Sequence, residues 1–146
     1  MCIRDSTLVV ATATAITRRI LRVVLERHAS TLTEFGHLLE TFVVGEVIKQ
    51  ATWLDKATMW HHWRTRDGDE VDLVLERDDG SIVGIEVKAG TRVNASDLLG
   101  LRKLQSLDRE RFIAGVAFYT GERSYAAAPG ILVLPIDRLW VSQRAV

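Results

Sequence analysis

The sequence predicts a mixed α/β fold: a central sheet flanked by helices. Three observations predict it. A hairpin with clean period-two alternation lies mid-chain. A helical stripe precedes it. A helix and two short apolar strands follow it.

The hairpin reads Glu70-Val71-Asp72-Leu73-Val74-Leu75-Glu76-Arg77, then Asp78-Asp79-Gly80, then Ser81-Ile82-Val83-Gly84-Ile85-Glu86-Val87-Lys88. Asp-Asp-Gly is a turn signal. With the turn at Asp78 to Gly80, Val71 is expected to pair with Val87, Leu73 with Ile85 and Leu75 with Val83. That gives one apolar face. The other face pairs Asp72 with Glu86 and Glu70 with Lys88. Like charges directly opposite on a sheet are destabilising. A bound cation is the most economical reason to keep Asp72 across from Glu86.

The remaining elements are read in order. Ile16 to His28 has helical spacing at Ile16, Ile20, Leu21, Val24 and Leu25. Thr33 to Gly36 reads as a break. Gly36 to Gln50 is a second helix, with Leu39, Val43 and Val47 as its stripe. Met59 to Arg64 is a strand, and Arg66-Asp67-Gly68-Asp69 is a tight turn into the hairpin. Ser96 or Asp97 is expected to cap a helix running to about Leu107, with Leu98, Leu101 and Leu104 inward. Phe112 to Tyr119 and Ile131 to Leu134 are buried strands. Asp137 to Trp140 is a final turn that tucks Trp140 against the core. Residues 1–34 are expected to be a helical, truncated segment, and 35–146 the domain proper.

Composition narrows the function classes. The chain has 146 residues, 47% of them hydrophobic, enough for one domain with a core. Net charge is zero and the pI is about 6.9, so there is no global basic field. Nucleic-acid contact would need a local patch. The candidates are Arg64, Arg66, Arg102 and Lys103, with Arg18, Arg19 and Arg22 as a further basic cluster. The single cysteine, Cys2, excludes an internal disulfide framework and suits a reducing cytoplasm. No run is long and apolar enough to span a bilayer.

Asp72, Glu86 and Lys88 are the constellation that could carry chemistry. Glu86 and Lys88 are two apart, so they leave the same face of one strand. The Val87 carbonyl lies between them. Two carboxylates and a carbonyl make a hard oxygen site suited to Mg2+ or Mn2+. Lys88 could orient or help deprotonate a water, or stabilise developing negative charge. The plain alternative is a solvent-facing carboxylate pair relaxed by Arg64 or Lys88. His61 and His62 point to opposite faces of a strand, which makes them poor ligands for one zinc ion. Trp60 and Trp63 could stack on bases, but packing is the simpler reading.

The layout resembles the PD-(D/E)xK nuclease superfamily, with its restriction-endonuclease-like fold. The resemblance implies a further metal-binding Glu on the preceding helix. Glu40 and Glu46 each lie about 60° from the apolar stripe, on opposite flanks. Gly36-His37-Leu38-Leu39-Glu40 fits the glycine that often precedes this Glu by four, which favours Glu40 and leaves Glu46 as the alternative.

From Phe35 to Trp140 the chain is also similar to the C-terminal domain of unknown function of bacterial and archaeal AAA-type ATP-binding proteins. The matching pieces include Gly36 to Val43, Trp63 to Asp72, Gly84 to Ala89, Leu98 to Arg102, Tyr119 to Glu122, and Leu134-Pro135 onward to Trp140. Such a domain implies an upstream ATPase as partner. This chain has no Gly-rich phosphate loop with Lys-Ser/Thr, so it lacks that module. Two functions compete. One is metal-dependent hydrolysis of DNA. The other is a catalytically silent module that binds nucleic acid or a partner and regulates the ATPase. Homo-oligomerisation is left open.

Overall fold

The structure, a computed structural model, describes residues 32–54 and 58–140. The helix expected over Ile16 to His28, the Arg18, Arg19 and Arg22 cluster and Cys2 lie outside the described residues. Helix α1 spans Leu32–Ala51. Strands β1 (Thr58–Arg64), β2 (Glu70–Arg77) and β3 (Ile82–Lys88) follow. A 3-10 turn, Ala95–Leu98, leads into α2, Leu99–Leu107. Then come β4 (Phe112–Tyr119), β5 (Tyr125–Ala128), β6 (Ile131–Pro135) and a 3-10 turn, Ile136–Trp140. The strands form one mixed sheet in the order β1-β2-β3-β4-β6-β5. β3, β4 and β6 run parallel, while β1–β2, β2–β3 and β5–β6 are antiparallel.

Each face of the sheet carries a helix. α1 covers Leu73, Ile85, Val87 and Phe118, and Ile136 and Trp140 complete that layer. α2 covers the other face, with Leu101 and Leu104 over Val71, Val74, Ile82, Ala117, Ile131 and Val133. No helix among the described residues is long and apolar enough to cross a membrane.

Four expectations need correction. α1 starts at Leu32, so the break at Thr33 to Gly36 does not occur. Phe35 is buried one turn before Leu39 and extends the stripe through Val43, Val47 and Ala51. That burial outweighs the cost of about 1 kcal/mol for a glycine inside a helix. Second, neither Ser96 nor Asp97 caps α2. Asp97 reaches back instead, its carboxylate accepting the Asn94 N–H at 2.7 Å. Third, β5 was not expected. It is a short, Ala-rich edge strand with little apolar signal of its own.

The fourth correction concerns the hairpin. Leu73 pairs with Ile85 and Leu75 with Val83, as the turn length requires. The ladder stops there. The pairs Val71–Val87, Asp72–Glu86 and Glu70–Lys88 are not part of it. On the other side of β2, His61 pairs with Val74 but Trp63 pairs with Val71. Asp72 and Leu73 together therefore face His62, which is a β-bulge. The extra residue reverses the alternation. Val71 turns to the α2 face, while Leu73, Ile85 and Val87 keep the α1 face.

Close backbone approach holds α2 in place. A Cβ on Gly100 would lie 1.9 Å from the Glu70 carbonyl oxygen, so only glycine fits there. The start of α2 is thereby pressed onto the start of β2, beside the bulge.

Candidate metal and phosphate site

Five strand ends meet at one edge of the sheet. β1 ends there at Arg64, β2 begins at Glu70, and β3, β4 and β6 end at Lys88, Tyr119 and Pro135. In open α/β sheets, ligands bind outside the carboxyl ends of parallel strands.

Asp72 lies at the bulge where β2 and β3 part. Its carboxylate accepts the Val87 N–H at 2.7 Å, replacing a ladder bond. Glu86 is 5% exposed and is the one buried charged residue among those described. Its neighbour across the β3–β4 ladder is Ala117, whose small side chain leaves room for it. Lys88 reaches back to Glu86 Oε1 at 2.6 Å. Glu86 Oε2 is buried with no hydrogen-bond partner. A buried polar atom without a partner carries its full desolvation cost.

The electrostatics follow from burial. Burial first, then the Asp72 charge, pushes the Glu86 carboxyl up to about 7; the Lys88 bond opposes this and does not overcome it. Burial also raises Asp72, against the Val87 hydrogen bond and with repulsion from Glu40 and Glu70. Burial alone would lower the Lys88 ammonium. Its bond to Glu86 outweighs that and holds it above the usual lysine range.

The two helical candidates separate. Glu46 is held by Lys49, at 2.6 Å, and by the Trp140 indole N–H, at 3.1 Å. Burial would raise its pKa, but those two bonds leave it lowered. Glu40 is partly exposed, and its charge acts on Asp72. Among the described residues, no three His, Cys, Asp or Glu side chains converge tightly enough to hold a metal ion. The carboxylate cluster is thus the Asp72–Glu86 pair, with Glu40 coupled to it through space.

The other candidates disperse. Arg64 and Arg66 are exposed at the β1–β2 turn, at the same sheet edge as Lys88. Arg102 and Lys103 are exposed on the outward side of α2. His61 bonds Glu76 at 3.2 Å rather than pairing with His62. Trp60 is exposed on the edge strand β1, and Trp63 packs against the α2-side core. Two residues that sequence reasoning missed are Glu70 and Asp97. Glu70 repels Asp72 and Glu86, and Asp97 raises Lys88. Alternation along β2 already set Glu70 on the expected face of Asp72, two residues away, whereas the approach of Asp97 to Lys88 comes from long-range packing.

The molecule is therefore a mixed α/β domain with a desolvated Asp–Glu–Lys cluster at the carboxyl ends of its strands. Residues 35–139 match the family described as "Domain of unknown function (DUF4143)", and the chain belongs to that family. No curated protein and no solved structure matches the chain significantly.

Proposed function

We propose that this domain is a PD-(D/E)xK-type nuclease-like module that hydrolyses phosphodiester bonds of DNA with a divalent metal ion. In this reading it is a cytoplasmic module that works with an AAA-type ATPase. The observation that carries the reading is Glu86 Oε2, a buried carboxylate oxygen with no partner, beside Asp72 and Lys88. A buried carboxylate oxygen without a hydrogen-bond donor is one that a hard cation satisfies.

Asp72 and Glu86 are the ligands, with the Val87 carbonyl and, from α1, Glu40 as further oxygen donors. Two carboxylates suffice for Mg2+, which keeps several waters. When bound, Mg2+ or Mn2+ supplies a water of lowered pKa and neutralises charge on a phosphoryl oxygen. Lys88 lies 2.6 Å from Glu86, next to where the scissile phosphate would sit, so its ammonium is placed to meet developing negative charge. That favours charge stabilisation at the phosphoryl group over proton abstraction from water.

A second reading has its own observation. Asp72 already serves as a structural acceptor for the Val87 N–H. The carboxylates would then shape a binding surface of a catalytically silent module that regulates the ATPase. Thermal melting with added Mn2+ or Mg2+ tests the choice. An ion that binds only the folded state raises Tm, by about 2.7 kcal/mol of stability at a hundredfold excess over Kd. The nuclease reading expects that rise in the parent, its loss in Asp72→Ala, and metal-dependent nicking of supercoiled DNA. A parent that neither shifts nor cleaves leaves the silent module.

A further inference from the structure

We infer that Arg92 and Arg123 form a second phosphate-binding rim, on the far side of the carboxylate pair from Arg64 and Arg66. A nucleic-acid backbone would then cross the sheet edge over Lys88, held on both sides. The inference rests on the nuclease-like reading only in taking nucleic acid as the partner.

The centre of the edge is acidic. Glu70, Asp72, Glu86 and Asp97 all act electrostatically there against the single Lys88. Without a divalent cation such a centre repels phosphates, so attraction then comes from its flanks. Arg64 and Arg66 supply one flank, at the β1–β2 turn. In the sheet order, the other flank is the pair of loops after β3 and β4. Arg92 is in the first and Arg123 in the second. From β1 to β4 is about 14 Å at ordinary strand spacing, the axial span of about four nucleotides of one strand.

The two loops are built as one unit. The Thr120 N–H donates to the Gly90 carbonyl at 3.2 Å, and the Thr120 hydroxyl to the Ala89 carbonyl at 3.0 Å. A Cβ on Gly121 would lie 2.2 Å from the Tyr119 ring and 2.8 Å from the Thr91 carbonyl oxygen. The Tyr119 hydroxyl donates to the Arg123 carbonyl at 2.7 Å and accepts the Arg123 N–H at 2.9 Å. Tyr119 itself is buried, with Tyr125 edge-on to its ring. The backbone of Arg123 is thus clamped from both sides by a core residue.

The guanidinium groups take no part in this clamp. Arg92 and Arg123 are exposed, and neither makes an ion pair or side-chain hydrogen bond among the described residues. Arg77, Arg111 and Arg138 contrast with them, since each is spent on a carboxylate. A clamped backbone spares the ordering of the loop, and the planar guanidinium fork loses less entropy per hydrogen bond to a phosphate than a lysine would.

The test is fluorescence anisotropy with a short labelled DNA duplex across a range of salt concentrations, run in parallel with an RNA of the same sequence. The R92A/R123A double variant is compared with R64A/R66A and with R109A. Arg109 is exposed at the opposite end of the sheet, before β4. Each lost phosphate contact should reduce the slope of log K against log salt by about 0.9. R92A/R123A is expected to flatten the slope by about 2, and R109A to match the parent. R92K/R123K keeps the charge and should restore the slope. Y119F, which loses the clamp but no charge, should weaken binding with the slope retained. Parent-like affinity and slope in R92A/R123A, with binding lost in R64A/R66A, overturns the second rim and leaves the proposed function standing. A parent that binds neither nucleic acid overturns both.

Discussion

Replacing Glu86 with glutamine removes the charge of the buried carboxylate on β3 and keeps its shape. In the parent, the folded state raises this carboxyl from 4.5 to about 7. Between those values the folded chain holds a proton that the unfolded chain has released. Stability therefore falls as pH rises through that window. At about 1.4 kcal/mol per unit, the ionised site costs the folded state on the order of 3 kcal/mol. Glu86→Gln resembles the protonated parent and does not pay it. The variant should be the more stable of the two at about pH 8. The difference should shrink as pH falls toward the ordinary glutamate range. Urea unfolding of both proteins at several pH values, without divalent ions, measures it. Contributions from titrating groups that do not interact with Glu86 cancel in the difference between the two proteins; Lys88, which loses its partner in the variant, stays charged across this pH range and adds an offset rather than a slope. A difference that does not change with pH, or a variant less stable than the parent at about pH 8, refutes the argument from burial.

The other predictions use the same cluster and its supports. Glu40→Ala should weaken a Mn2+-induced rise in Tm, while Glu46→Ala should leave the rise intact and lower the Tm of the metal-free protein, since Glu46 holds Trp140 and Lys49. Lys88→Ala should slow cleavage of supercoiled DNA by about 10²–10³, the usual cost of removing one group that stabilises transition-state charge, and leave the metal-induced Tm rise in place. Equal cleavage by parent and Lys88→Ala excludes Lys88 from the chemistry. Gly100→Ala should destabilise at the top of, or beyond, the ~1–3 kcal/mol typical of overpacking, because the clash is with backbone. Gly84→Ala meets only the tips of Leu101 and Leu104 and should cost less, so the ratio of their urea midpoints checks the packing of α2.

Local pattern alone was enough for much of the fold. Period two in β2 and β3, with a three-residue turn, dictates the Leu73–Ile85 and Leu75–Val83 pairs. Residues four apart from Leu39 to Val47 dictate the buried side of α1, and Leu101 and Leu104 that of α2. Glu86 and Lys88 share a face because they are two apart on a strand, and that is geometry of a single chain segment. The bulge at Asp72 is different in kind. It lies in the ladder between β2 and β1, a pairing the hairpin itself does not contain, and it sends Val71 to the opposite face from the one its alternation implies. Helix angles did not choose between Glu40 and Glu46; only the glycine four residues before Glu40 favoured it. Both flank the stripe of α1, and what separates them is Trp140, ninety-four residues from Glu46, docking onto one flank. The burial of Glu86 belongs to the tertiary structure as well. A Glu-x-Lys on a strand reads as a solvated ion pair until two helices close over both faces of the sheet. Desolvation is a property of everything packed around a group, and no spacing within the chain encodes it.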